Sequence, residues 1–335
     1  MLNERENFME LMTGGTPDHL VTQWSPFVPI MIDPLQRYTR GNRKKGTTSI
    51  DRWGTTISWP DDQPAAIPLN EGDLKVVKDV TRWREYVKTP DLEGAAAVPG
   101  AWDDARAAMD KLDRKAEMTM CFMGTGIFEQ LHFLMGFEDA LVDLLMEQEA
   151  IDELIEEIFQ YRYTYARLLI ENLKPDVICS HDDWGAKHQL FMHPDIWRRF
   201  FKERYRKFYQ LFRDNGVISL HHADSHCEEI VEDMAEIGID IWQGVLPQNN
   251  IPAMQKQLAG KMILMGGIDQ GLVDIDGIDP QIIRDEVDRT CRDYVPGGSF
   301  IPCLCSGLRN GAIYPFVDEV IDDQIRKNSP LYCEY

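Results

Sequence analysis

The feature that most constrains this chain is a recurring form that sets in after Ala116. Six short apolar runs, "EMTMCFMG", "DVICSHDDWG", "VISLHHADS", "IDIWQGV", "KMILMGGID" and "SFIPCLCSG", each close on glycine or polar residues. Between them lie longer stretches with apolar residues at helical spacing, such as "FEDALVDLLMEQEAIDELIEEIFQYRYTYARLLIENL" and "PQIIRDEVDRTCRDYV". Strand-helix alternation on this scale predicts a parallel sheet covered by helices, either open and doubly wound or closed as a (β/α)8 barrel.

Glycine placement separates the two. An open dinucleotide-binding sheet carries G-x-G-x-x-G where a helix opens, and neither "GGTPDHL" nor "GGID" supplies it. The expectation is an α/β chain folded as a (β/α)8 TIM barrel with an elaborated N-terminal segment. Its 335 residues are read as one domain, 1–335, in which 116–335 carries the clearest repeats. In 1–115, Pro17, Pro26, Pro29, Pro34, Pro60, Pro64 and Pro68 interrupt short apolar pieces, so helices and loops are expected there. The basic piece "RYTRGNRKKG", Arg37 to Gly46, reads as a solvated or disordered loop, with phosphate or partner binding as the minority reading.

A hydrophobic fraction of 44% is enough for a substantial core, yet no segment approaches a bilayer-spanning apolar run. The first residues, "MLNERENFMELMTGGTPDHL", carry charge where a signal peptide needs an apolar centre, so a cytoplasmic protein without a membrane partner is expected. The formal net charge of -21 argues against general nucleic-acid binding. Seven cysteines, an odd number, point to reduced thiols that are available as ligands or nucleophiles.

In a barrel, catalytic groups come from the carboxyl ends of several strands. Strand alternation puts His222 and Asp224 of "LHHADS" on one face, and Cys303 and Cys305 of "IPCLCSG" on one face. A histidine, a carboxylate and a thiolate would make a zinc site with an open position. Taken singly, such residues are more commonly small buried cysteines and mutually hydrogen-bonded histidines. In "CSHDDWG", His181 and Asp183 share one face and Ser180 and Asp182 the other. These carboxylates could orient a substrate hydroxyl or hold a proton, or cap the helix that follows. Trp184 could wall a pocket or pack. Glu129 sits in the first turn of a helix, where the dipole favours acid, and is also a candidate pocket carboxylate. Gln243 in "DIWQG" and Asp269 in "MGGID" occupy strand-end positions that also suit turns.

The order "DDWG", "H-x-D-S", "GGID", "CSGL" resembles the uroporphyrinogen decarboxylase superfamily from about Met118 onward, and looks closest to its corrinoid-dependent methyltransferase branch. "DRWGTTISW", Asp51 to Trp59, is similar to the D-x-W-G segment of the methyltransferase-like members. The Arg-rich "RQAGR" segment with which true decarboxylases hold substrate carboxylates is replaced by "VTQWSPFVPIMIDPLQRY". The resemblance implies a (β/α)8 barrel and methyl transfer between a methoxylated aromatic or otherwise methylated small molecule and a cobalamin-type corrinoid on a separate corrinoid protein. It implies zinc held by an H-x-C motif and a distant cysteine. His222 matches the histidine, Asp224 stands where the cysteine would be, and the distant cysteine falls at Cys305, with Cys303 as the other choice. A carboxylate there makes a harder site, suited to an oxygen leaving group. Asp182 or Glu129 would then orient substrate, with Asp183, Gln243, Asp269, Trp24, Trp53 and Trp184 lining it. A metal-independent lyase on the same barrel and a non-catalytic corrinoid- or substrate-binding subunit are the competing expectations. A homo-oligomer is compatible with the sequence.

Overall fold

The computed structural model describes residues 1–41, 43–63 and 65–333, so Asn42 of the basic piece and Pro64 lie outside the described residues. The strands, in chain order, are β1 (Phe27–Ile30), β2 (Thr47–Ile50), β3 (Thr56–Trp59), β4 (Ile67–Leu69) and β5 (Met118–Met123). They continue with β6 (Val177–His181), β7 (Ile218–His222), β8 (Ile241–Val245), β9 (Ile263–Ile268) and β10 (Phe300–Leu304). Each of the six apolar runs is a strand. Among the described residues, β1-β5-β6-β7-β8-β9-β10 form a seven-stranded sheet whose neighbours all pair in parallel, and β2-β3-β4 a small antiparallel sheet.

The strand period of two builds the barrel from the inside. Phe27, Met118, Met120, Val177, Cys179, Leu220, Ile241, Ile263, Met265, Ile301 and Cys303 meet in one buried apolar cluster. Every strand of the large sheet contributes to it, so the sheet is curled around a common axis. The alternate residues, among them Cys121, Ile178, Trp242, Leu264 and Phe300, pack outward with the helices. Burial on both faces is why the strands read as nearly continuous apolar runs. The crossover from β5 to β6 includes a 26-residue helix, Gln148–Leu173. No helix among the described residues is long and apolar enough to cross a membrane.

A closed (β/α)8 ring has eight strands. Here side chains span the seam between β10 and β1. Gln23 Oε1 accepts from Leu304 N at 3.0 Å, its Nε2 donates to Asp322 Oδ1 at 2.8 Å, and Arg309 donates to Phe27 O at 3.0 Å. The N-terminal helix Glu4–Thr13 sends Phe8 into the barrel cluster, edge-on to Phe27 with centroids 5.0 Å apart. The basic piece departs from a plain solvated loop: Arg37, Lys44 and Lys45 are exposed, whereas Arg40 and Arg43 are partly buried.

Candidate active site

Two residues beyond the apolar layer formed by Cys179, Leu220, Ile241 and Cys303, the same alternation brings up His181, His222, Gln243 and Cys305. His181 and His222 are register partners, as are His222 and Gln243, so the three stand side by side, the histidines as the last residues of β6 and β7 and Gln243 in the middle of β8. The two imidazoles meet edge-on with centroids 4.7 Å apart. Gln243 Oε1 contacts His222 Nδ1, and its Nε2 donates to the carbonyls of Leu304 and Cys305, both at 3.2 Å. Gln243 thus fixes His222 against β10.

Around His181 the site becomes strongly charged. Its Nδ1 lies 3.5 Å from Glu129 Oε2 and its Nε2 lies 3.3 Å from Asp183 Oδ2. The ligand-type atoms of Glu129, His181 and Asp183 all lie within 4.8 Å of one another. Burial alone would lower His181, but Glu129 and Asp183 override it and hold the imidazole up to about 10. Burial pushes Glu129 up to about 7 even with His181 opposing it. Burial would also raise Asp183, yet His181 and the neighbouring histidines bring it down to about 2. Burial and the adjacent cationic His181 lower His222, while burial and Asp183 raise Asp224. Asp183 Oδ1 also accepts from Asp224 N at 3.1 Å and Ser225 Oγ at 3.3 Å, which pins the β7 loop over the site.

The other expected site residues are placed as follows. Asp182 faces away from His181 and is fully buried. It accepts from the N–H groups of Phe128 and Glu129 at 3.0 and 2.9 Å, from Trp184 Nε1 at 3.0 Å, and from the Tyr205 hydroxyl. It therefore holds the start of the helix Ile127–Met135 and so places Glu129. Trp184 is buried and stacks on His221 at 4.1 Å. His222, Asp224 and Cys305 are not among the groups whose ligand atoms converge within 4.8 Å. Cys305 donates to Val245 O at 3.2 Å, and burial pushes its thiol up. Asp269 accepts from Gly271 N at 3.0 Å as a helix cap and faces Gln248 and Lys187. Trp24 belongs to the barrel-interior cluster, and Trp53 packs edge-on against Tyr161 at 4.9 Å.

Sequence reasoning gave no role to the residue at the centre of the charge, His181. The alternation in "CSHDDWG" already placed it beside Asp183. Nothing local shows that Glu129, some fifty residues earlier, returns to the same point through Asp182.

The chain belongs to the uroporphyrinogen decarboxylase family, whose pattern it matches over residues 51–310. No curated protein matches it significantly. Among solved structures it is similar to a methyltransferase from Methanosarcina mazei, at 14% identity over 98% of this chain and 99% of that one, with a TM-score of 0.66. That likeness shows the fold. A xylose isomerase-like TIM barrel protein from Mycobacterium smegmatis, in complex with magnesium, is 13% identical over 69% of this chain and 80% of that one. Its TM-score of 0.35 carries no argument.

Proposed function

We propose that this chain is a methyltransferase that moves a methyl group from a methoxylated, aromatic small molecule to a corrinoid carried by a separate protein. Family membership and the full-length fold likeness to a methyltransferase support the reading. The observation that carries it is the Glu129–His181–Asp183 cluster at the carboxyl ends of the strands. Breaking an aryl ether carbon–oxygen bond leaves a phenoxide, and positive charge or a proton at that oxygen lowers the barrier. A reduced corrinoid would supply the attacking nucleophile.

The cluster also fits the metal that the family resemblance implies. It offers carboxylate, imidazole and carboxylate, with His181 and Asp183 side chains 24% and 26% exposed and hence reachable by substrate. The thiol of Cys305 is engaged with Val245 O, so the donor set is one of oxygen and nitrogen, which zinc accepts. A divalent ion bound there would act as a Lewis acid on the leaving oxygen. Asp183 keeps the β7 loop in place, Gln243 orients His222 beside His181, and Asp182 sets the position of Glu129.

One observation favours a second reading, a metal-independent lyase: both ring nitrogens of His181 already face carboxylates, so the cluster is charge-compensated without an ion. Metal analysis separates the two. Stoichiometric zinc in protein purified without chelator, lost in a folded His181→Ala variant, is expected; its absence supports the lyase. For methyl transfer, the protein is mixed with reduced corrinoid protein and a panel of methoxyarenes. Methylation is expected to change the cobalt absorption spectrum, and no change with any donor counts against the reading.

A further inference from the structure

Behind the charged cluster lies a buried cation that, among the described residues, is hydrogen-bonded to no acid. Arg162, on the long helix Gln148–Leu173, is 1% exposed. Its guanidinium donates only to uncharged oxygens: Nη1 to the carbonyls of Gly124, at 3.2 Å, and Thr125, and Nη2 to Ser180 Oγ at 2.8 Å. Its Nε is buried and, among the described residues, has no partner. A guanidinium kept out of water with no carboxylate against it is costly, and such a cost persists where the geometry it enforces is used.

The three acceptors belong to the two strand ends that carry the cluster. Gly124 and Thr125 follow β5 directly, and Ser180, which precedes His181 in β6, is the register partner of Met123 at the end of β5. Thr125 has φ 58°, a left-handed backbone that a β-branched residue rarely adopts, so its surroundings must hold it there. Arg162 does this through the Thr125 carbonyl. A trans peptide sets the following N–H opposite that carbonyl, and Gly126 N–H donates to Glu129 Oε2 at 3.1 Å. The same Oε2 faces His181 Nδ1 at 3.5 Å. One peptide unit thus carries the hold from the guanidinium to a carboxylate of the cluster. Gly126 has no slack in this position, since a side chain there would collide with Asp182. Asp182 fixes the N–H groups of Phe128 and Glu129, and Arg162 fixes the turn before them.

We propose that Arg162 is a positioning residue: by holding the Thr125–Gly126 peptide between the ends of β5 and β6, it aims the Glu129 carboxylate at His181. That this alignment serves methyl transfer rests on the reading given above; the hold on the loop does not. Being buried, Arg162 touches no substrate and acts through Glu129 alone.

The test is amide hydrogen exchange on the full chain, comparing residues 124–129 with β9, together with the kinetics of methyl transfer. Arg162→Met is expected to speed exchange over 124–129 by about tenfold or more beyond any change in β9. Adding Thr125→Gly lets that position take its left-handed backbone without penalty, and is expected to recover about fivefold of the lost protection. Arg162→Lys keeps the charge but puts one ammonium where two nitrogens bridged the strands. A smaller loosening of the same segment is expected from it, and it keeps the test open if the methionine variant fails to fold. In methyl transfer, Arg162→Lys is expected to lower kcat by about tenfold and to leave KM within about twofold. Exchange over 124–129 that rises no more than that of β9 in the folded variants overturns the proposal, and so does a loss of protection that Thr125→Gly leaves unchanged. A fall in kcat/KM carried by KM alone overturns the positioning role. Local loosening with the expected rescue, in a parent that methylates no corrinoid protein from any donor, leaves the hold on Glu129 standing and removes the methyl-transfer reading.

Discussion

Asp182 and Asp183 are neighbours in the chain with opposite surroundings, and strand alternation is the cause. Asp183 faces the barrel mouth, partly exposed, against His181 and the β7 loop. Asp182 faces the helices, and its carboxylate receives two backbone N–H groups, an indole and a phenol. An amide in its place can accept from some of these donors but must turn its own N–H groups toward the rest. Asp182→Asn is therefore expected to cost about 2–4 kcal/mol in denaturant unfolding, and Asp183→Asn, which keeps an acceptor for Asp224 N but loses the charge opposite His181, about 1–2 kcal/mol. If Asp182→Asn unfolds like the parent and loses only activity, its carboxylate acts on substrate and the positioning role assigned to it is wrong.

At the scale of elements, the end of β8 shows how a strand is bent to serve the site. The register between β8 and β9 shifts between Gln243 and Val245. Gly244 between them has φ 98°, and a Cβ there would lie 2.6 Å from Ala223 O. Gly244→Ala forces a left-handed conformation on alanine and a backbone collision at once. A loss of about 2–3 kcal/mol is expected, together with weaker substrate binding as Gln243 and His222 shift. A variant as stable as the parent would show that the bulge relaxes freely. The strands themselves were legible because a parallel sheet buried on both faces leaves long apolar runs, and because Gly and polar residues end each one. β1 was not: "FVPI" is four residues with a proline inside. Within the site, period two was enough to pair His181 with Asp183. It did not exclude Cys305, since alternation fixes the face and not the distance. The inward turn of Arg40 and Arg43 was hidden because exposed and buried arginines look alike in a basic run.

For the whole molecule, the question is whether residues 1–115 are an addition to the barrel or a part of it. They supply β1, which pairs with β5, and the Gln23 side chain that spans the seam to Leu304 and Asp322. They also supply Phe8 and Trp24 to the same interior cluster as Met118, Leu220 and Ile301. A core shared in this way cannot be lost from one part of the chain while the other keeps its packing. Arg5 adds a link at the amino ends of the strands: it donates to Asp176 at 2.9 Å, and Asp176 also receives Thr119 N at 2.9 Å and Arg114 at 3.1 Å. The chain is therefore expected to unfold in one cooperative transition, with far-ultraviolet and near-ultraviolet circular dichroism giving the same midpoint. Phe8→Ala empties a fully buried ring position at the amino-terminal end of the chain and is expected to lower the stability of that single transition by about 3–5 kcal/mol. Two separated transitions, with only one of them moved by Phe8→Ala, would mean that the N-terminal segment folds on its own and that the strands from β5 onward close without it.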